Sequence, residues 1–402
     1  MVKSIGRSRI LPRLAAAALL LLLPATLAHA ATPALLDQLP ASLQLLYTGE
    51  TNLVQPSAYD HFKMPPKPWK WCHSESYQGN PWRVAMANEL KRLVGIYEKK
   101  GWVSSFEMSD SNGDISRQIS QVRAFIDKKC SIITSVPGSV TGLNGAIEAA
   151  YKAGIPFVTI SASVTSPYAI NVDSNYLRWG YDMMHAIGEA LGGKGNIIMV
   201  EGIAGAPIVA EERSGAEMAL KQFPGLHVLR RVNGNWTANV TKTVVLQVLA
   251  TTPQKIDAVW TTGSESRVIA EDFAEAGRKP PLITGSISGD ALGYWKQHPG
   301  RYRFEGNGVL PAWNAQAVFR VAVRLLEGQQ PKLNEIMIPI PVVHGNELGK
   351  WYSSCMTPAS VSVFPVPPTD PMPVMLMNDY FTHPKPIAGY DYAATPDPCA
   401  VK

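Results

Sequence analysis

Clustered positive charge, long apolar runs, cysteine and catalytic signatures are all scarce in this sequence. Only 17% of its 402 residues are charged, and 37 Lys and Arg stand against 32 Asp and Glu. Four of those bases, Lys3, Arg7, Arg9 and Arg13, lie in the first 30 residues, which hold no acid. The remainder is nearly neutral, 33 bases against 32 acids, so it lacks the basic patch that binding to nucleic acid phosphates requires. Beyond an apolar run at residues 14–23, nothing approaches the roughly 20 residues of a membrane span. Four cysteines occur without a CxxC pair or a neighbouring ligating histidine, which argues against a zinc site. No GxSxG is present, because Gly285-Ser286-Ile287-Ser288-Gly289 sets its serines one place off, and the histidines are scattered. No resident metal or cofactor is expected.

The basic start, the Ala and Leu run and Ala28-His29-Ala30 together form the pattern of a cleavable secretory signal peptide, residues 1–30. Cys72, Cys130, Cys355 and Cys399 all follow it. An even count in an oxidising compartment favours two disulfides, with three connectivities open. Cys72 with Cys130 is favoured because both would start neighbouring strands, which leaves Cys355 with Cys399 in the tail.

The stretch at residues 129–163 organises the rest. Residues 132–135 are apolar and β-branched; Leu143, Ala146, Ile147, Ala150 and Tyr151 recur at helical spacing; a second β-branched run follows at 156–161. This is a βαβ unit, which demands a right-handed crossover in a parallel sheet and places ligands at the carboxyl ends of the strands. The two loops there, 135–139 and 161–166, are rich in hydroxyls and poor in charge, a chemistry suited to a neutral polar molecule. Before it, residues 69–75 and 102–108 read as strands. Helices are expected from Pro81 to about Lys100 and across Ile115, Ile119, Val122 and Ile126. From Asn175 the alternation starts again, with strands at 196–201, 228–232, 256–261, 282–286 and 304–310. A helix follows at 312–328, then an edge strand at 336–343 interrupted by Pro339 and Pro341. The fold class is therefore α/β, two doubly wound parallel-sheet lobes of similar architecture, with the ligand site expected in the cleft between them.

Several segments carry a resemblance when taken in order: Gly79-Asn80-Pro81-Trp82, Lys152-Ala153-Gly154-Ile155-Pro156, Glu201-Gly202-Ile203-Ala204-Gly205, Asn235-Trp236, Ile256-Asp257-Ala258-Val259-Trp260 and Val309-Leu310-Pro311. On these the chain, over about residues 69–343, resembles periplasmic sugar-binding proteins of the ribose and galactose type, the solute receptors of ABC importers. The resemblance implies lobe 1 at 69–171 and 309–334, and lobe 2 at 172–308 and 335–345. Three crossing segments would lie near 170–173, 308–310 and 331–335. An N-terminal arm, 31–68, and a proline-rich extension, 346–402, lie outside it.

It also implies a sugar ring clasped between aromatic faces, which fall here on Trp82 and Trp236, with Ser76 and Asn80 in the first polar loop. The remaining positions depart from the family pattern. Ser161 and Ala162 replace an acid and arginine pair; Gly263 beside Ser264 replaces an asparagine; Ser286 and Ile287 replace a phenylalanine and aspartate pair, with Asp290 close by. Val309 stands for the hinge glutamine, and the family arginine falls on Arg213 or, without a gap, on Glu212. Arg83 at the helix start and Ser135 at a strand end also reach towards a cleft, while Trp313 faces either the cleft or the hinge.

The function implied is that of a periplasmic receptor, monomeric and not an enzyme, closing on a monosaccharide or related polyol and delivering it to a membrane permease. A sensor feeding a chemoreceptor or kinase is the alternative. An exported hydrolase is weaker, since Glu75 and Asp290 are the only carboxylates expected near the cleft.

Overall fold

In the computed structural model, residues 33–49, 54–370, 374–391 and 397–399 are described; the signal-peptide expectation lies outside them. The arm opens with two one-turn helices, α1 (Pro33–Leu36) and α2 (Ala41–Gln44). The alternation then runs β1 (Trp69–Glu75), α3 (Pro81–Lys99), β2 (Val103–Asp110), α4 (Ile115–Asp127), β3 (Ile132–Val136), α5 (Asn144–Lys152), β4 (Phe157–Ile160) and β5 (Ala169–Asp173). A second series follows: α6 (Tyr176–Ala190), β6 (Lys194–Glu201), α7 (Pro207–Gln222), β7 (Gly225–Asn233), α8 (Ala238–Thr251), β8 (Ala258–Trp260), α9 (Ser266–Glu275), β9 (Leu282–Ser286), α10 (Gly289–Gln297) and β10 (Arg303–Asn307). The chain closes with α11 (Pro311–Leu326), β11 (Glu335–Met337), β12 (Val342–Val343), α12 (Leu348–Trp351) and α13 (Val374–Asp379).

Local chemistry sets the helix starts. Asn80, Asp114, Asn175 and Ser288 each accept a hydrogen bond from the backbone N–H three residues on, and Pro occupies the first turn of α3 and α11. The β-branched and aromatic runs between them are buried on both faces, as strands flanked by helices must be.

Two six-stranded sheets result, β11-β5-β4-β3-β1-β2 and β12-β10-β9-β8-β6-β7. The paired strands are parallel except that β12 runs antiparallel to β10. The chain passes between the sheets after β5, after β10 and between β11 and β12. The last crossing differs from the expected position. Residues 336–343 do not form one strand; the prolines at 339 and 341 cannot donate to a ladder, and the run splits into β11 on the first sheet and β12 on the second. Residues 331–335, expected to cross, instead lead into β11.

The disulfides join Cys72 to Cys130 and Cys355 to Cys399. The first ties β1 to the turn before β3. The arm packs along the edge of the first sheet: Tyr47 Oη donates to Glu335 O at 2.6 Å, and Tyr59 Oη to Tyr168 O at 2.6 Å. The tail is bound to both halves. Gly289 N of α10 donates to Val363 O at 2.7 Å, whereas Arg320 and Arg324 of α11 donate to Asp370 Oδ2 at 2.8 Å and Asn378 Oδ1 at 2.6 Å. This covering explains why α11 is buried almost all round although its sequence has one apolar face and two arginines on the other.

Candidate functional site

The carboxyl ends of both sheets open on one cleft of about 920 Å³. Its first wall is made by the loops after β1, β2, β3, β4 and β5. The second comes from those after β6, β7, β8 and β9 with the start of α10, and Val309 and Asn314 lie along the second crossing.

On the first wall, Ser76, Asn80, Trp82, Arg83 and Ser161 line the cleft. Asn80 uses its Oδ1 to cap α3. Pro81 starts that helix and brings Trp82 into its first turn, where the indole Nε1 donates to Val309 O at 2.9 Å. The indole is thereby fastened to the crossing between sheets. Arg83 Nη1 lies 3.5 Å from Glu75 Oε2; Glu75 is fully buried and its other oxygen lies 2.9 Å from His73 Nε2, while His73 Nδ1 lies 2.9 Å from Thr134 Oγ1. A polar chain thus runs from the cleft into the strands behind it. Ser161, at φ +57°, donates to Asn314 Oδ1 at 3.0 Å.

On the second wall, Trp236, Gly263, Ser264, Ser286 and Asp290 line the cleft. Asn235 and Trp236 both have positive φ, +55° and +51°, a conformation that strains residues bearing a Cβ. The indole of Trp236 lies on two glycines: a Cβ at Gly202 would meet its Cζ2 at 2.2 Å, and one at Gly263 would meet its Cδ1 at 2.7 Å. Ser286 Oγ donates to Val309 O at 3.3 Å, so both walls converge on that carbonyl. Asp290 accepts from Arg267 Nε at 2.8 Å and from Ser288 Oγ at 2.5 Å.

Three expected residues are placed elsewhere. Ser135 is fully buried inside β3, which extends one residue further than expected, and its Oγ donates to Ser74 O at 2.9 Å. Arg213 turns to Glu201, donating from Nε at 2.8 Å and from Nη2 at 2.5 Å, because Glu201 is nearly buried at the end of β6 and needs a counter-charge. Its alternative, Glu212, is buried behind the wall; Thr262 Oγ1 donates to it at 3.0 Å, and burial holds its carboxyl well above the usual range. Trp313 is 2% exposed and packs under the Arg320 guanidinium, 5.5 Å from its ring, which makes it a hinge-packing residue.

Several cleft residues escaped the sequence reading. Glu211 lines the cleft where Glu212 and Arg213 of the same run do not. Asp173 ends β5, which the resemblance gives only as a crossing segment, and accepts from Tyr176 Oη at 2.6 Å and Ser163 Oγ at 3.0 Å. Burial, with the charge of Asp173 beside it, raises the Tyr176 hydroxyl well above its ordinary range. Glu265 and Arg267 follow Ser264 at a strand end, which was the available signal. Burial is the main influence on Glu265; a hydrogen bond from its own backbone opposes it and the charge of Asp290 reinforces it, so the carboxyl is raised to about 7. Val361 comes from the tail, where no periodicity pointed to it.

The arrangement offers two indoles, one from each sheet, together with hydroxyl, amide and carboxyl groups in one cleft. Such a set holds the apolar faces and the hydroxyls of a polyhydroxylated molecule. Among the described residues no group of three His, Cys, Asp or Glu is disposed to hold a metal ion, and no helix is long and apolar enough to cross a membrane.

Comparison with known proteins gives matching results. Residues 74–330 match the periplasmic binding protein domain family. A xylitol-binding protein of Mycolicibacterium smegmatis is 27% identical over 179 residues, 44% of this chain and 51% of the relative. The galactofuranose-binding protein YtfQ of Escherichia coli is 25% identical over 218 residues, 52% of this chain and 67% of the relative. The chain therefore spans about half the length of the first relative and about two thirds of the second. Among solved structures, an ABC transporter solute binding protein from Thermobispora bispora superposes with a TM-score of 0.65 at 25% identity, covering 72% of this chain and 89% of that one. A solute binding protein from Actinobacillus succinogenes with bound D-allose gives 0.61 at 19% identity, over 71% and 100%, and shows the same fold.

Proposed function

The chain belongs to the periplasmic binding protein domain family, and on that premise we propose that it is the extracytoplasmic receptor of an ABC importer for a neutral sugar or polyol. Residues 1–30 serve as a cleaved export leader. The receptor acts as a monomer, carries out no chemistry on its guest, and presents the closed form to a membrane permease. The observation that carries this reading is the pair Trp82 and Trp236, supplied to one cleft by two different sheets. A ring held between them bridges the two halves, so its binding energy favours the shut form over the open one. The named ligands of the similar proteins, xylitol, galactofuranose and D-allose, belong to the same chemical class.

A thermal-shift screen of the mature chain against pentoses, hexoses and polyols tests it. A ligand at 100 times its Kd stabilises the folded state by about 2.7 kcal/mol, a readily measured rise in midpoint. Trp236→Ala is expected to weaken the best hit by about 2 kcal/mol, because a desolvated aromatic anchor is lost. A full panel without a shift, or turnover of any hit, would contradict the reading.

A further inference from the structure

The floor of the cleft and its mouth differ in chemistry. Ser76, Asp173, Thr262, Ser286, Asp290 and Asn314 line the cleft and are all under 9% exposed. At the mouth the groups are large, apolar and open to water. Of the eight most exposed large hydrophobic side chains among the described residues, four line the cleft: Tyr77 at 39%, Val140 at 40%, Ile203 at 48% and Val361 at 45% exposure.

These four come from the loops of the two sheets and from the tail. Tyr77 and Val140 follow β1 and β3 on the first sheet, and Ile203 follows β6 on the second. Val361 belongs to the tail, and its place there is fixed. A Cβ at Gly289 would come within 2.7 Å of Val363 O, and one at Gly293, a turn later on the same face of α10, within 2.3 Å of the Thr357 carbonyl carbon. Two glycines thus let the tail lie directly on the helix backbone. Ser360 Oγ donates to Cys355 O at 3.1 Å, and the Cys355 to Cys399 disulfide closes the segment. Exposed apolar groups gathered round one opening mark a binding surface. Here they line the same cleft as the buried polar groups, and its volume of about 920 Å³ sits at the upper end of pockets that enclose drug-sized ligands.

We propose that the guest is amphipathic: a polyhydroxylated ring on the floor, carrying an alkyl or aryl substituent that lies across the mouth against Ile203 and Val361. This rests on the sugar-receptor reading and specifies its ligand class. The tail then acts as a specificity element, adding Val361 to the apolar groups that the loops of the two sheets supply.

Calorimetric titration of the mature chain tests it with free D-galactose, D-xylose and D-glucose, each paired with its methyl and phenyl β-glycoside. The phenyl glycoside of the best sugar is expected to bind about tenfold more tightly than the free sugar, with the methyl glycoside between them. Val361→Ser and Ile203→Ser, each checked for wild-type cooperative melting by circular dichroism, are expected to cut that ratio to about threefold or less. Free sugars that bind as tightly as their phenyl glycosides, or a ratio that survives in both variants, would overturn this proposal alone. No heat from any sugar or glycoside would overturn the sugar-receptor reading with it.

Discussion

The two walls of the cleft present the same kinds of group and hold them by different means. On the first, the groups facing the guest are fastened from behind: Trp82 to the Val309 carbonyl, Ser161 to Asn314 and Asp173 to Tyr176 and Ser163 by hydrogen bonds, and Arg83 by charge, 3.5 Å from the Glu75 carboxylate that His73 links to Thr134. On the second, Trp236 is held by close packing on Gly202 and Gly263 and by two consecutive residues at positive φ, and Glu265 is buried with a raised carboxyl. The first wall is therefore coupled to the crossing segments and hence to hinge motion. On the second, Ser286 reaches the same Val309 carbonyl, but Trp236 and Glu265 are set by shape and by protonation, so substitutions around those two residues should alter affinity with little effect on the hinge.

The largest difference should appear in the pH dependence of stability. Glu265 titrates near 7 in the folded chain, above its ordinary 4.5. Between those values the folded state keeps a proton that the unfolded state has released, so stability falls as pH rises through this window and levels off above it. The shift corresponds to about 3 kcal/mol at most. Asp272 on α9, also raised to about 7 chiefly by burial, titrates in the same window. Urea melts from pH 4.5 to 8 should therefore show Glu265→Gln losing less stability than wild type across the window; identical slopes would remove the protonation difference between the walls.

Next in size is Gly202→Ala. The added Cβ at 2.2 Å from Cζ2 forces the Trp236 indole off its shelf, and affinity for the best sugar should drop about tenfold by calorimetry. The smallest effect belongs to Trp82→Phe, which keeps an aromatic face and removes the donor to Val309 O. A net loss of about 1 kcal/mol is expected, read in stopped-flow fluorescence as a change in closing rate. If Gly202→Ala altered the closing rate and Trp82→Phe did not, the division of roles between the walls would be reversed.

The two-lobe α/β architecture was legible because buried parallel strands and their covering helices leave strong periodic traces, as in residues 132–160. The disulfide pairing was only favoured among three connectivities, on the expectation that Cys72 and Cys130 start neighbouring strands, with Cys355 and Cys399 left over. The final crossing was not legible, because periodicity cannot show that residues 336–343 divide between two sheets; only the prolines at 339 and 341 hinted at it. Within the cleft, Trp82 and Trp236 were reached through the resemblance to sugar-binding proteins, with the polar neighbours Asn235 and Thr237 adding a local sign for Trp236 alone. Ser135 failed through a strand end misjudged by one residue. Arg213 failed because sequence does not show that Glu201 would be buried and demand a partner. Val361 could not be found, since the docking of an aperiodic tail on Gly289 and Gly293 depends on contacts across 64 to 74 residues.

Small-angle X-ray scattering of the mature chain, with and without a saturating amount of the best sugar from the screen, tests the closing of two walls on one guest most directly. The radius of gyration should fall on addition of the sugar to wild type, and Trp236→Ala should need about 30-fold more sugar for the same fall. A sugar that binds by calorimetry yet leaves the wild-type radius unchanged would contradict the account.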